Sequence, residues 1–126
     1  LLGAQNLEAG FAHKIKNIRS KGNVAKLHLA LSGMPDFTGL DEANRGERLV
    51  IAPSLEYVEH AFNHAKYGEY SKQPVIEITL PSVNDSSLAP AGQHVLSANV
   101  QWAPDELKQG WGEARHAFTE TIIDVT

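Results

Sequence analysis

His94-Val95-Leu96-Ser97-Ala98-Asn99-Val100-Gln101-Trp102 alternates apolar and polar residues along its length. Successive side chains of a strand point to opposite sides of a sheet. Leu96, Ala98, Val100 and Trp102 therefore share one face, and Val95, Ser97, Asn99 and Gln101 share the other. A sheet covered on one side only has this pattern. The same reading extends to residues 24–32, where Ala25, Leu27, Leu29 and Leu31 oppose Lys26, His28 and Ala30. It extends also to residues 75–80, where Ile76, Ile78 and Leu80 oppose Val75, Glu77 and Thr79, with Pro81 closing the strand. The short apolar segment Leu49-Val50-Ile51 follows a turn-rich stretch from Gly33 to Gly39 and a polar run from Asp41 to Glu47, and reads as a fourth strand.

Helical spacing fills the intervals. Leu7, Phe11, Ile15 and Ile18 fall on one helical stripe, which predicts a first helix over residues 6–20 that Lys21-Gly22 stops. Pro53-Ser54 opens a second helix with serine in the N-cap position, a stripe of Leu55, Val58, Phe62 and Ala65, and Gly68 as its stop. Residues 82–92, rich in Asn, Asp, Ser and Pro, read as loop. Pro104-Asp105 starts a last helix with the stripe Leu107, Trp111, Ala114, Phe118, Ile122 and Val125. The order αββαββα gives an α+β class: an antiparallel or mixed four-stranded sheet with helices packed on one face. The alternation alone does not set the pairing order of the strands.

The composition suits one ordinary domain spanning residues 1–126. Hydrophobic residues make up 42% and charged ones 21%, which excludes a disordered or fibrous chain. A net charge of -4 without a basic cluster argues against nucleic acid. The absence of cysteine removes disulfides, thiolate metal sites and thiol nucleophiles together, and leaves the cytoplasm as the default compartment, with the mitochondrion as the eukaryotic alternative. No apolar run approaches the roughly twenty residues that span a bilayer. The chain starts at Leu1 without an initiator Met and closes on an amphipathic pattern through Ile122 and Val125, which we read as excision from something longer.

Motifs of chemistry are sparse. The sequence contains no G-x-G-x-x-G, no phosphate-cradling G-x-x-x-x-G-K and no G-x-S-x-G elbow, so no catalytic residue and no cofactor-binding residue is assigned. His60 and His64 have the i, i+4 spacing of paired metal ligands, but both lie off the helix stripe and read as surface histidines, so no metal is expected. Trp111 and Phe118 have core spacing, and Tyr57, Tyr67 and Tyr70 read as more exposed. The informative feature is the mixed sheet face, which carries Lys26, His28, Glu77, Thr79, Ser97, Asn99 and Gln101. In an isolated domain it is a solvated surface; in a larger enzyme it roofs a cavity.

Several phrases are similar in order and wording to one family. They are Ala25-Lys26-Leu27-His28-Leu29-Ala30-Leu31-Ser32 with Pro35-Asp36-Phe37, then Ile51-Ala52-Pro53-Ser54-Leu55-Glu56-Tyr57-Val58 with Ala65-Lys66-Tyr67-Gly68. Pro74-Val75-Ile76-Glu77-Ile78-Thr79-Leu80-Pro81-Ser82 follows, and then Gly92-Gln93-His94-Val95-Leu96-Ser97 with Val100-Gln101-Trp102-Ala103-Pro104. Together they cover most of residues 22–118 and resemble the phytoene-desaturase-like branch of the flavin amine-oxidase superfamily, in particular its pyridine-nucleotide-disulphide oxidoreductase domain subfamily.

The resemblance implies an FAD-dependent oxidoreductase of which this chain is the central part of the substrate-binding domain, inactive alone. It implies as partners the FAD-binding segments of the same polypeptide, and as substrate an apolar or small molecule. The glycine fingerprint for FAD would lie upstream and a second flavin contact downstream, so the cofactor is expected for the full-length protein and not for these residues. The competing expectation is an autonomous α+β binding module without enzymatic activity that dimerises through its mixed face.

Overall fold

The computed structural model describes residues 3–18 and 21–126. Four strands form one sheet: β1 (Val24–Leu31), β2 (Leu49–Ile51), β3 (Ile76–Thr79) and β4 (His94–Gln101), in the order β1-β4-β3-β2. Every neighbouring pair is antiparallel. Around the sheet lie helices α1 (Ala9–Lys16), α2 (Leu55–Lys66), the single turn α3 (Pro81–Asn84) and α4 (Trp111–Val125). The fold is α+β with a four-stranded antiparallel sheet, and the strand order resolves the pairing that the alternation left open.

The register explains why the core is on one side. Ala25 pairs with Val100, Leu27 with Ala98 and Leu29 with Leu96, while Ile76 and Ile78 face Val100 and Ala98 from the other flank. Directly paired residues project to the same side, so the apolar positions of all strands converge there. Ile76, Ile78 and Val100 lose all their exposure, and α4 closes the layer with Phe118 and Ile122.

The structure departs from the sequence reading at five places. The strand ending at Gln101 does not continue through Trp102, whose backbone adopts a left-handed φ of 60°. Such a φ is uncommon outside glycine and breaks the pleat. The indole leaves the apolar face and meets Phe62 of α2, with ring centroids 5.6 Å apart.

The last helix begins at Trp111 rather than Pro104, because residues 103–110 fold back onto the end of α2. Lys108 N–H donates to the Gly68 carbonyl at 2.9 Å, Leu107 is buried, and Gly110 at φ 76° releases the chain into α4. The Trp111 indole Nε1 donates to the Pro104 carbonyl at 2.8 Å and fastens the detour.

α2 is rotated relative to its expected stripe: Leu55 is 88% exposed and Phe62 39%, whereas Ala61 is buried. The helix braces one end of the sheet, where the Tyr57 hydroxyl donates to the Pro74 carbonyl at 3.0 Å just ahead of β3. Both of its ends follow the sequence. Ser54 Oγ accepts from Tyr57 N–H at 3.1 Å. At the other end Gly68 N–H donates to Ala65 and Glu69 N–H to His64, the paired bonds of a glycine-closed helix terminus, with Gly68 at φ 69°.

α1 is shorter than residues 6–20, and the expected end at Ser20 lies outside the described residues. Its stripe is not buried: Leu7, Phe11, Ile15 and Ile18 are 37%, 51%, 52% and 61% exposed. The expected loop of residues 82–92 contains α3, entered through Pro81 in the first helical turn, and a 3-10 turn at Ser86–Leu88.

Candidate functional site

The seven residues of the mixed face are brought together by the register. Lys26 pairs with Asn99 and Asn99 with Glu77, forming one row across β1, β4 and β3. His28 pairs with Ser97 and Ser97 with Thr79, forming the next, and Gln101 lies one step along β4 opposite Val24. Lys26 and His28 are exposed at the β1 side, and the other five are half-buried between strands.

Glu77 organises the centre of this surface. Its Oε2 accepts from Arg48 Nη1 at 3.0 Å and its Oε1 from Gln101 Nε2 at 2.9 Å. A carboxylate held by donors on both oxygens is an acceptor already committed, which suits positioning better than proton transfer. Thr79 Oγ1 approaches the Ser97 carbonyl at 3.4 Å, a weak bond across the β3–β4 pair. Arg48 was missing from the candidate residues. Its signal was its place one residue before the apolar triplet 49–51, which puts it beside the β3 row once β2 pairs with β3. Val24, Ala30, Val50 and Val95 complete the face, which is therefore a hydrogen-bonded polar strip bordered by small apolar residues.

The paired histidines have local partners instead. His64 Nδ1 donates to the His60 carbonyl at 3.0 Å, and His60 Nε2 lies 3.5 Å from Glu56. No group of three or more His, Asp or Glu side chains among the described residues is placed to hold a metal ion. Ser82 Oγ lies 3.1 Å from His94 Nδ1, a pair the sequence did not single out. Ser82 is buried and its oxygen accepts from Val95 N–H at 3.0 Å, so it ties α3 to β4 and does not face a reactant.

Trp111 and Phe118 pack as expected, with ring centroids 5.4 Å apart. Tyr70, read as exposed, completes the cluster 4.8 Å from Phe118. Beside it a groove of about 470 Å³ opens between β1 and α4, lined by Ala25, Leu27, Trp111, Arg115, Phe118 and Ile122 among others.

Among the described residues no strand passes through a glycine-rich turn into a helix N-terminus. Dinucleotide folds lead a strand through a glycine-rich turn into a helix N-terminus. Here β3 runs through Leu80 into the one-turn α3, and α4 starts after the detour on Gly110.

The fold and the strip define an antiparallel α+β sheet domain with a polar strip on the face opposite α4. Its sequence is 29% identical over 129 aligned positions to Pyridine nucleotide-disulfide oxidoreductase domain-containing protein 2 of Rattus norvegicus, and equally to the protein of that name of Mus musculus. Each match takes in 94% of this chain, which spans only about a fifth (22%) of the relatives' length. The chain is homologous to a segment of these oxidoreductase-domain proteins. No family model matches it, and no solved structure does. Among the described residues no helix is long and apolar enough to cross a membrane.

Proposed function

We propose that this chain forms the sheet of the substrate domain in an FAD-dependent oxidoreductase of the phytoene-desaturase-like type, and that its mixed face roofs the substrate cavity. The observation that carries the proposal is the coincidence of two features. Nearly the whole chain aligns with a fifth of a longer oxidoreductase-domain protein, and α4 packs on the apolar face of the sheet, opposite the polar strip.

In such an enzyme the flavin accepts or supplies the hydride when bound, and the protein supplies the cavity and the orientation. A substrate pocket is mostly apolar with a few placed polar groups. Val24, Val50 and Val95 offer the first, and Asn99, Ser97 and the Glu77–Gln101 pair offer the second. The site accordingly binds and orients an apolar or small molecule, and it contains no residue assigned to the chemical step.

The test is the double variant Asn99→Leu, Gln101→Leu in the full-length enzyme. KM or substrate preference is expected to change severalfold, with flavin content retained and the denaturation midpoint nearly unchanged. The excised chain by itself should show no flavin band in the visible spectrum. Wild-type turnover in the double variant, or loss of its flavin, would return the face to solvent or to domain packing.

A further inference from the structure

The polar strip divides into a satisfied half and an open one. Glu77, its only carboxylate, is held on both oxygens by Arg48 and Gln101. On β4 and β1 the side chains of Asn99, Ser97, Lys26 and His28 enter no hydrogen bond or ion pair with any described residue. The register sets these four in a two-by-two block, Lys26 beside Asn99 and His28 beside Ser97. Side chains directly opposite each other stand about 4.5–5.5 Å apart and diagonal ones about 7–8 Å, so all four reach one small group. Ala30 and Val95 form the next row of the face and Val24 flanks the other end.

The chemistry of the block selects a charge. Lys26 offers three N–H donors and no acceptor, Asn99 two donors and Ser97 one. Glu77 lies on β3, two strand spacings or about 10 Å from Lys26, and is already committed. The ammonium thus has no counterion within the strip. Facing water it needs none, but facing a cavity it does, because a charge withdrawn from water is stable only when paired.

We infer that the block of Lys26, Asn99, Ser97 and His28 is the carboxylate-binding end of the substrate site, so that the substrate is an apolar molecule carrying one carboxylate. This rests on the reading that the strip roofs the substrate cavity. The ammonium pairs with the carboxylate, and the Asn99 amide and Ser97 hydroxyl donate to its remaining lone pairs. One uncommitted cation balances one carboxylate, whereas a phosphate brings close to two negative charges. Ala30 and Val95, short and apolar, continue the face beyond His28 and Ser97 and leave room for the rest of the molecule.

Isothermal titration calorimetry of the full-length enzyme with octanoate, 1-octanol and octylamine varies the charge while the chain length stays constant. Octanoate should bind roughly tenfold tighter than octanol, with octylamine weakest, as expected for a charge-assisted contact. Lys26→Met should abolish the preference for octanoate and leave the affinity for octanol unchanged, whereas Lys26→Arg should keep the preference. Lys26 is exposed in this chain, so both variants spare the fold. An absence of octanoate binding, octanol binding as tightly as octanoate, or a preference that survives Lys26→Met overturns the inference. The double variant Asn99→Leu, Gln101→Leu separates it from the reading beneath it. Altered kinetics in that variant, together with equal affinities of the wild type for octanoate and octanol, keep the cavity and remove the carboxylate; wild-type turnover removes both.

Discussion

Phe118 is 4% exposed and in ring contact with both Tyr70 and Trp111, whereas Leu55, equally apolar in sequence, is 88% exposed at the start of α2. Their truncation to alanine should separate cleanly. Phe118→Ala should cost about 3–5 kcal/mol, the range for emptying a packed aromatic site. Leu55→Ala should stay within about 0.5 kcal/mol, as surface changes usually do. Urea midpoints measure both, and equal shifts would mean that α4 does not close the core as described. Helical spacing marks both residues as buried, since a stripe specifies a face but not which neighbour meets it. Phe118 met a sheet; Leu55 lost its place because Tyr57 reached Pro74 and rotated the helix around Ala61.

At the scale of elements, the strands were legible because their alternation survives into the structure almost residue for residue. The seven polar positions of the mixed face were legible for the same reason. What the pattern lacked was distance: Arg48 joins Glu77 from 29 residues away, and Lys108 reaches Gly68 across an even longer gap. Neither contact leaves a local periodicity, and the second displaced the start of α4. α1 offers a different element-scale test, because its N-cap is a carboxylate. Glu8 accepts from Gly10 and Phe11 N–H, both at 2.8 Å. Those two backbone bonds hold its carboxyl below the usual value of 4.5. A depressed folded-state value means that the cap contributes fully above that pH and is lost as pH falls through the lowered one. The NMR signals of Gly10 and Phe11 should therefore move toward coil values on acidification, and Glu8→Gln should remove most of that pH dependence. If α1 kept its helical shifts through the acid range, the cap would not be what holds it.

The molecule as a whole is uneven in how tightly its parts are tied. β3, β4 and α4 supply most of the buried core, α2 buries only Ala61, and α1 buries none of its side chains. This gradient leaves the apolar stripe of α1 and the polar positions of β1 exposed. Trp102, turned out of β4 by its left-handed backbone onto Phe62, gives this unevenness an optical consequence. The chain has two tryptophans, and they report different junctions: Trp102 the contact between the sheet and α2, Trp111 the packing of α4. The variants Trp102→Phe and Trp111→Phe each leave one indole as a fluorophore. Because α2 buries only Ala61 whereas α4 buries Ala114, Phe118 and Ile122, emission from Trp102 should red-shift at lower urea than emission from Trp111. Coincident curves would instead mark the whole chain as one cooperative unit.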